Sequence, residues 1–379
     1  MEVTKRRKLL PAHLCSTEIE SVTILDGEEE EEPLLPALPN HLSILCLSKL
    51  PPSLLFSVCR SWRQLLYSPS FPPFFSLYVF LSMGGNENPS IEFFSLDPLS
   101  ISWRPLPPPP SDPPLNLHLR HPSFLSRHLS VQSLTVSNHL VLLAGTTEQF
   151  SPALSRPLVF HPETAKWFFG PQFSTPRRWC VAGAVGSTVY VASGIGAKYC
   201  ASVARSMEQW KLDGKGQNWK WESLKGLKDG RYSREAVEGI AIKGKLCIVN
   251  IKGFALKEGV IYDTACNTWE EMPIGMLAGW NGPAVSMDEE SMYVVDEARG
   301  ILSEYDGDSD RWEGIIELPE LKQAEQIAAG RGKICVVAGN GKKIIVVDVT
   351  SRPPRFWAVD LPCGQRFLGV HVLPRMSSS

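Results

Sequence analysis

The sequence predicts a mainly β protein, in which a six-bladed β-propeller is preceded by a small helical module. Two observations carry this prediction. Six tryptophans recur at intervals of 43 to 64 residues between residues 103 and 357, and such a period is typical of propeller repeats. Ahead of them, apolar residues recur at helical spacing between residues 38 and 66. The 31 prolines among 379 residues favour many short elements joined by turns.

The composition excludes several classes of protein. Apolar residues make up 43% of the chain and charged residues 21%, as in ordinary soluble proteins, and the longest apolar-rich run, residues 74–81, is too short to span a membrane. The net charge of −2 provides no basic excess for binding nucleic acid. The nine cysteines are scattered without a C-x-x-C pair, which predicts reduced thiols, no clustered zinc site and a location in the cytoplasm or nucleus.

Four regions follow from the pattern along the chain. Residues 1–33 combine the basic tetrad Lys5–Lys8 with the acidic run Glu28–Glu32, which predicts a disordered tail. The tetrad is either a nuclear-import signal or simply part of a solvated segment. Residues 34–70 are expected to form the helical module, residues 74–374 the propeller, and residues 375–379 a second disordered tail.

The helical module is predicted to contain two helices. The first begins at Pro39, which suits a first turn. The segment Leu50-Pro51-Pro52 then breaks the chain, and a second helix is expected to begin near Ser53. Its apolar residues form one stripe: Leu54, Leu55, Val58, Cys59, Trp62, Leu65 and Leu66. So short a module cannot bury this stripe by itself, so either a partner protein or the propeller is expected to cover it.

Each tryptophan marks one predicted blade of four strands. The six markers lie on the outermost strands, where their rings are expected to pack against a neighbouring sheet: Trp103, Trp167, Trp219, Trp269, Trp312 and Trp357. Upstream of each lies a strongly apolar strand, and upstream of the last five lies a strand of small residues, which suits the crowded innermost position. The first repeat lacks this strand, and residues 367–373 are expected to supply it and close the ring.

The helical segment resembles an F-box. That motif has an opening Leu-Pro, a central Leu-Pro and a Val-Cys-(Lys/Arg)-x-Trp sequence, which here are Leu38-Pro39, Leu50-Pro51 and Val58-Cys59-Arg60-Ser61-Trp62. The resemblance implies a docking surface for a Skp-type adaptor. The residues implied are Leu38, Pro39, Leu42, Leu47, Leu50, Pro51, Leu54, Val58, Cys59 and Trp62.

The propeller repeats resemble kelch repeats, so the fold is identified as a kelch-type β-propeller behind a small helical F-box module. Only Gly84-Gly85 keeps the double glycine of that family. The combination is similar to plant F-box/kelch-repeat proteins. It implies a non-catalytic substrate receptor of an SCF-type E3 ubiquitin ligase, without a cofactor or metal. The implied partners are a Skp-type adaptor, a cullin, a RING subunit and an unknown target protein.

Two other functions remain open at this point. A kelch propeller can act as an interaction scaffold without any role in ubiquitin transfer. A metal-dependent kelch-type enzyme would need a ligand cluster such as His118, His121 and His128, which are equally well explained as a polar surface loop. No nucleotide-binding, serine-hydrolase or zinc-protease motif accompanies these histidines, so an enzyme is the less favoured alternative.

The target is expected to bind at the face where the inner strands begin, because six short segments converge there around the channel. The candidate contacts are Arg178, Trp179, Arg234, Glu235, Trp280, Asn281, Gln326, Arg366 and Phe367. Arginine and aromatic side chains are enriched in binding hot spots. Three of these residues, Arg178, Arg234 and Arg366, occupy equivalent places in different repeats, and their planar guanidinium groups are expected to recognise an acidic or carboxylate-bearing segment.

Overall fold

A computed structural model describes most of the chain. The described residues are 33–50, 52–66, 68, 70–71, 74–83, 90–97, 102–110, 131–147, 149–212, 219–233, 236–252, 257–337, 341, 343–361 and 366–376. The chain divides into two compact units between Lys49 and Leu50. The domain limits 34–70 and 74–374 stay predictions. No helix in the described ranges is both long enough and apolar enough to cross a membrane.

Three short helices precede the strands: α1 (Asn40–Leu47), α2 (Pro52–Val58) and α3 (Arg60–Leu66). The prediction of one continuous stripe-bearing helix is wrong, because the chain leaves the helical conformation at Cys59. The Cys59 side chain takes the capping role for α3, since the Trp62 N–H donates to its Sγ at 3.5 Å. A hydrogen bond between this thiol and the Ser61 hydroxyl lowers the pKa of Cys59.

The strands form six antiparallel sheets of four strands each, which we number as blades 1 to 6. Blade 1 contains β1 (Phe75–Met83), β2 (Ser90–Asp97) and β3 (Ser102–Pro105). Blade 2 contains β4 (Val131–Val136), β5 (His139–Gly145), β6 (Leu158–His161) and β7 (Lys166–Phe169). Blade 3 contains β8 (Val181–Val185), β9 (Thr188–Ala192), β10 (Met207–Lys211) and β11 (Glu222–Ser223), with α4 (Ala201–Arg205) between β9 and β10.

The remaining three blades repeat the same order. Blade 4 contains β12 (Ala236–Ile242), β13 (Lys245–Lys252), β14 (Gly259–Asp263) and β15 (Thr268–Glu271), and α5 (Ile274–Gly279) follows it. Blade 5 contains β16 (Ala284–Met287), β17 (Ser291–Asp296), β18 (Ile301–Asp306) and β19 (Arg311–Glu317). Blade 6 contains β20 (Gln326–Gly330), β21 (Lys333–Val337), β22 (Lys343–Asp348) and β23 (Arg355–Asp360). The last strand, β24 (Arg366–Pro374), returns to blade 1.

The inner strands close a ring. Each contacts the next around the channel in the order β24, β4, β8, β12, β16, β20 and again β24. The last strand pairs antiparallel with β1 from Phe75↔Pro374 to Ser82↔Arg366, so it is the innermost strand of blade 1. The predicted six-bladed propeller is therefore confirmed, and so is the prediction that the C-terminal strand completes the first blade.

Small residues on the inner strands are a packing requirement. A Cβ atom at Gly239 of β12 would collide with the Val181 side chain of β8. A Cβ atom at Gly183 of β8 would likewise collide with the Leu246 side chain of β13. Adjacent blades converge at these points, so the composition of the inner strands follows from the geometry of the ring.

Five tryptophans tie neighbouring blades together. Each indole N–H donates a hydrogen bond to a backbone carbonyl of the preceding blade, either in its last strand or in the segment just after that strand. The five pairs are Trp103 to Asp360, Trp167 to Pro107, Trp221 to Pro171, Trp269 to Lys225 and Trp312 to Met276. In blade 3 the hydrogen bond comes from Trp221, whose ring also stacks on Phe173. The predicted marker Trp219 precedes β11 and is not part of it, but its ring lies 5.5 Å from that of Phe168 in blade 2 and so packs against the neighbouring sheet as expected. The sixth marker, Trp357, is 43% exposed.

A buried histidine links the first two inner strands. His371 of β24 lies 2.9 Å from the Ser133 hydroxyl through Nε2 and 3.2 Å from the Thr135 hydroxyl through Nδ1, both on β4. Burial lowers the pKa of His371 from 6.5 to about 4. The neutral imidazole is therefore the form that fits between the two strands.

This histidine predicts acid sensitivity of the ring. Between pH 6.5 and 4 the unfolded chain binds a proton at His371 that the folded chain does not, so the free energy of unfolding falls as the pH falls. We expect a loss of about 2 kcal/mol from this group between pH 7.5 and pH 5. Denaturant titrations of wild type and His371→Gln at both pH values measure it. Equal losses in the two proteins would exclude His371 as the source.

Candidate interaction surfaces

Exposed apolar side chains are concentrated ahead of the propeller. Among the described residues, six of the ten large apolar side chains that are exposed lie between residues 38 and 58, with 37% to 56% of their surface accessible: Leu38, Leu42, Leu45, Leu50, Leu54 and Val58. Soluble proteins seldom expose so many large apolar side chains in one stretch unless it binds something. Five of the six were implied as adaptor contacts by the F-box resemblance.

The first unit carries three of the exposed residues on and just before α1. Leu42 and Leu45 are exposed on the helix, and Leu38 lies one residue before the capping Pro39, which is exposed as well. Leu47, at the end of α1, is only 2% exposed. Its side chain is therefore a packing residue, not part of the exposed surface, although the motif placed it among the adaptor contacts.

The second unit carries the rest, and here the predicted stripe divides. Leu54 and Val58 are about half exposed and lie one helical turn apart on α2. Leu55, Leu65 and Leu66 are buried instead. The remaining motif positions include Cys59 and Trp62, which are partly buried, and Pro51, which lies outside the described residues.

The second candidate surface is the face of the propeller at which the inner strands begin, which we call the mouth. Of the nine residues predicted to bind a target there, Arg234 and Glu235 lie outside the described residues, and only the backbone of Arg366 is described. The other six are placed as follows. Four are at least nine-tenths buried, Gln326 is partly buried and Asn281 is exposed; the four are Arg178, Trp179, Trp280 and Phe367.

Several side chains that were predicted to contact the target instead make contacts between neighbouring blades. The indole of Trp280 donates to Glu238 Oε2 on β12 at 3.0 Å. Gln326 of β20 bridges to β24, because its Nε2 donates to the Leu368 carbonyl and its Oε1 accepts from the Val370 N–H. Phe367 is buried in the apolar core between β24 and blade 6. These side chains stabilise the ring and are not available to a ligand.

One type of hydrogen bond between neighbouring blades recurs at the mouth, and we call it the clasp. It was not predicted from the sequence. On three alternate inner strands a polar side chain accepts the backbone N–H of the next blade: Gln132 from Trp179, Glu238 from Ala284, and Gln326 from Val370. Their signal in the sequence is a glutamine or glutamate at the start of a strand otherwise made of small and apolar residues. The clasps hold the mouth segments in fixed positions relative to each other.

Arg178 differs from the other predicted contacts. Its guanidinium lies over the Trp179 ring, 4.0 Å from the ring centroid, and the residue is 9% exposed. Burial lowers the pKa of Arg178. Its Nε and Nη1 are buried and have no hydrogen-bond partner among the described residues.

The adjacent Arg177 was not singled out from the sequence, yet it is the better partnered of the two. Its Nη2 donates to Glu208 Oε2 at 2.6 Å, and its Nη1 donates to the Ser206 hydroxyl and the Ser193 carbonyl. Both charged side chains are nearly inaccessible, with 1% and 6% of their surfaces exposed. This ion pair anchors the segment that precedes β8 to strand β10. Arg178 belongs to that segment, so the ion pair also sets the position of Arg178.

Comparisons with known proteins find F-box proteins of plants that are similar over most of the chain. The chain is 46% identical over 361 residues to the F-box/kelch-repeat protein SKIP25 of Arabidopsis thaliana, a match that covers 92% of this chain and 91% of that protein. It is 27% identical over 296 residues to the F-box protein AFR of the same plant, covering 73% of each chain. No protein-family model matches the sequence.

Proposed function

The chain belongs to the F-box/kelch-repeat proteins of plants, and from this premise we propose that it is the substrate-recognition subunit of an SCF-type E3 ubiquitin ligase. In this role the helical segment docks a Skp-type adaptor, and through it a cullin and a RING subunit. The propeller binds the target protein. The receptor itself is non-catalytic and needs no cofactor, because ubiquitin transfer takes place on the other subunits.

The observation that carries the proposal is the exposure of large apolar side chains between residues 38 and 58. Leu54 and Val58 offer a partner about half of each side chain on one face of α2. Apolar surface removed from water contributes about 25 cal/mol per Å². F-box proteins bind Skp-type adaptors, and an apolar face of this kind supports the same interaction here.

The chain path supports a division of labour between helices and propeller. Phe75, the first residue of β1, pairs with Pro374 at the end of β24. Strand β1 therefore begins at the face of the propeller opposite the mouth. The seven described cysteines are free thiols, which supports the proposed location in the cytoplasm or nucleus.

The double variant Leu54→Asp/Val58→Asp tests adaptor docking. Both side chains are exposed, so charges are tolerated in the free protein, whereas a bound adaptor would have to desolvate two carboxylates. We expect adaptor affinity, measured by calorimetry with the purified Skp-type adaptor, to fall at least 30-fold. The melting temperature should stay close to that of wild type.

Ile274→Asp is the matched control for this experiment. Ile274 is 84% exposed on α5, so its substitution adds a charge to an exposed apolar position on the propeller. We expect full adaptor affinity for this variant. If wild type fails to bind the adaptor while the propeller is folded, or if the double variant binds like wild type, the receptor proposal is wrong, and a scaffold without a ligase role replaces it.

A further inference from the structure

Buried polar groups without partners are concentrated at one part of the mouth. Besides the Nε and Nη1 of Arg178, the hydroxyls of Thr146 and Ser193 are buried and have no hydrogen-bond partner among the described residues. A native protein leaves few such groups, and a water molecule, an ion or a bound ligand can complete their hydrogen bonding. Arg177 Nε is in the same state, but Arg177 has an ion partner in Glu208, whereas Arg178 has none in the described part of the chain.

The three residues lie on adjacent segments of blades 2 and 3. Arg178 exchanges two backbone hydrogen bonds with Ile195, which is two residues beyond Ser193. Thr146 directly follows β5, whose Ala144 pairs with Gln132, and the Gln132 side chain accepts the N–H of Trp179. The backbone hydrogen bonding thus places all three residues at the junction of two blades, on the mouth face.

The chemistry of these groups selects the ligand. A guanidinium can only donate hydrogen bonds and carries a positive charge, so a ligand of Arg178 has to supply acceptor atoms. The acidic side chain on the neighbouring strand, Glu208, is already paired with Arg177 and the Ser174 hydroxyl. Among the described residues, nothing accepts a hydrogen bond from the Nε or Nη1 of Arg178, so an anion with several acceptor atoms would complete its hydrogen bonding, and a carboxylate matches a planar guanidinium.

We propose that Arg178, stacked on Trp179 at the junction of blades 2 and 3, is the anchor for a carboxylate side chain in an acidic segment of the target protein. This inference deepens the proposed function and rests on it for the identity of the ligand as a protein. Trp179 supports the guanidinium from one side, while the Gln132 clasp holds the Trp179 backbone. The charge is thus prearranged before the ligand arrives.

The experiment uses the full chain and a capped decaglutamate peptide as the probe, with decaglutamine as the uncharged comparison. We expect calorimetry at low ionic strength to detect decaglutamate and not decaglutamine. Arg178→Gln should weaken decaglutamate binding at least tenfold. Arg299→Gln is the matched control, since Arg299 is an exposed arginine in the β17–β18 turn at the mouth, and it should change the affinity less than twofold.

Thermal stability separates a binding role from a structural one. Arg178→Gln removes a buried charge that has no ion partner among the described residues, so its melting temperature should equal or exceed that of wild type. A clear drop in melting temperature would mean that Arg178 is a packing residue and would overturn the proposal. Arg178→Lys, which keeps the charge without the planar donors, should bind with intermediate affinity.

The remaining outcomes are equally decisive. If the Arg178 and Arg299 variants lose decaglutamate binding equally, the net charge of the protein explains the loss, and the proposed site at Arg178 is wrong. Acetate that competes at the same concentration as the peptide would overturn its assignment to a protein ligand. Adaptor binding is measured on the same samples. If the peptide binds through Arg178 while the adaptor does not bind, the carboxylate site stands and the ligase role fails.

Discussion

Deletion of residues 365–379 is expected to abolish the folded propeller and not merely to fray one end of it. The deleted segment contains all of β24, which supplies the inner strand of blade 1 and contacts both β20 and β4. Four of its apolar side chains are buried: Phe367, Leu368, Val370 and Leu373. At about 1.5–3 kcal/mol each, their loss is on the order of 10 kcal/mol, comparable with the whole stability of a typical domain.

Loss of the strand also exposes a sheet edge. The inner edge of β1 would be left with unpaired N–H and C=O groups along the apolar sequence Leu77–Leu81. An apolar edge of this kind promotes aggregation. We therefore expect the truncated chain in the insoluble fraction, and a calorimetric scan of any soluble part should show no cooperative transition.

Two controls distinguish loss of the strand from loss of general stability. Leu373→Ala, at a position with 0% exposure, should cost about 2–5 kcal/mol and leave a folded protein. A synthetic peptide of residues 365–379, added during refolding of the truncated chain, should restore soluble protein. Full-length solubility and melting temperature in the truncated chain alone would show that the ring does not depend on β24.

The architecture was predictable because it depends on a period. The tryptophan spacing, the small-residue strands and the unpaired first repeat all report one constraint, that six sheets must converge on an axis and leave no edge open. Local features differed from the prediction where the structure depends on a single contact that the sequence pattern does not reveal. The thiol of Cys59 caps α3 and divides the predicted helix, and in blade 3 the hydrogen bond to the Pro171 carbonyl comes from Trp221, a tryptophan that the spacing did not mark.

The mouth was predictable as a place, and the roles of its side chains were not. Chain position indicated which residues stand at the mouth, but whether a side chain faces a ligand or a neighbouring blade depends on residues far away in sequence. Trp280 packs in the apolar core that blades 4 and 5 share, and Glu238 of β12 accepts its N–H. Arg177 and Arg178 are adjacent in sequence, yet only Arg177 is paired with the carboxylate of Glu208.

Arg177→Met is expected to cost about 3–5 kcal/mol of stability, in contrast to the neutral or favourable effect of changing Arg178. The substitution leaves Glu208 buried without its ion pair, and within the described ranges the Ser174 hydroxyl is then its one remaining side-chain donor. It also removes the donor to the Ser193 carbonyl. Denaturant unfolding of the two variants measures the difference, and equal effects from both would contradict the assignment of separate roles.

The double variant Arg177→Met/Glu208→Leu separates the energy of the ion pair from its positioning role. Replacing both charges with apolar side chains removes the unpaired carboxylate, so most of the stability should return. The link between the mouth segment and β10 is not restored, since no donor then reaches the Ser193 carbonyl or the Ser206 hydroxyl from position 177. Decaglutamate binding through Arg178 should therefore stay at least threefold weaker than in wild type. A double variant that recovers both stability and affinity would show that the pair stabilises blade 3 without positioning Arg178.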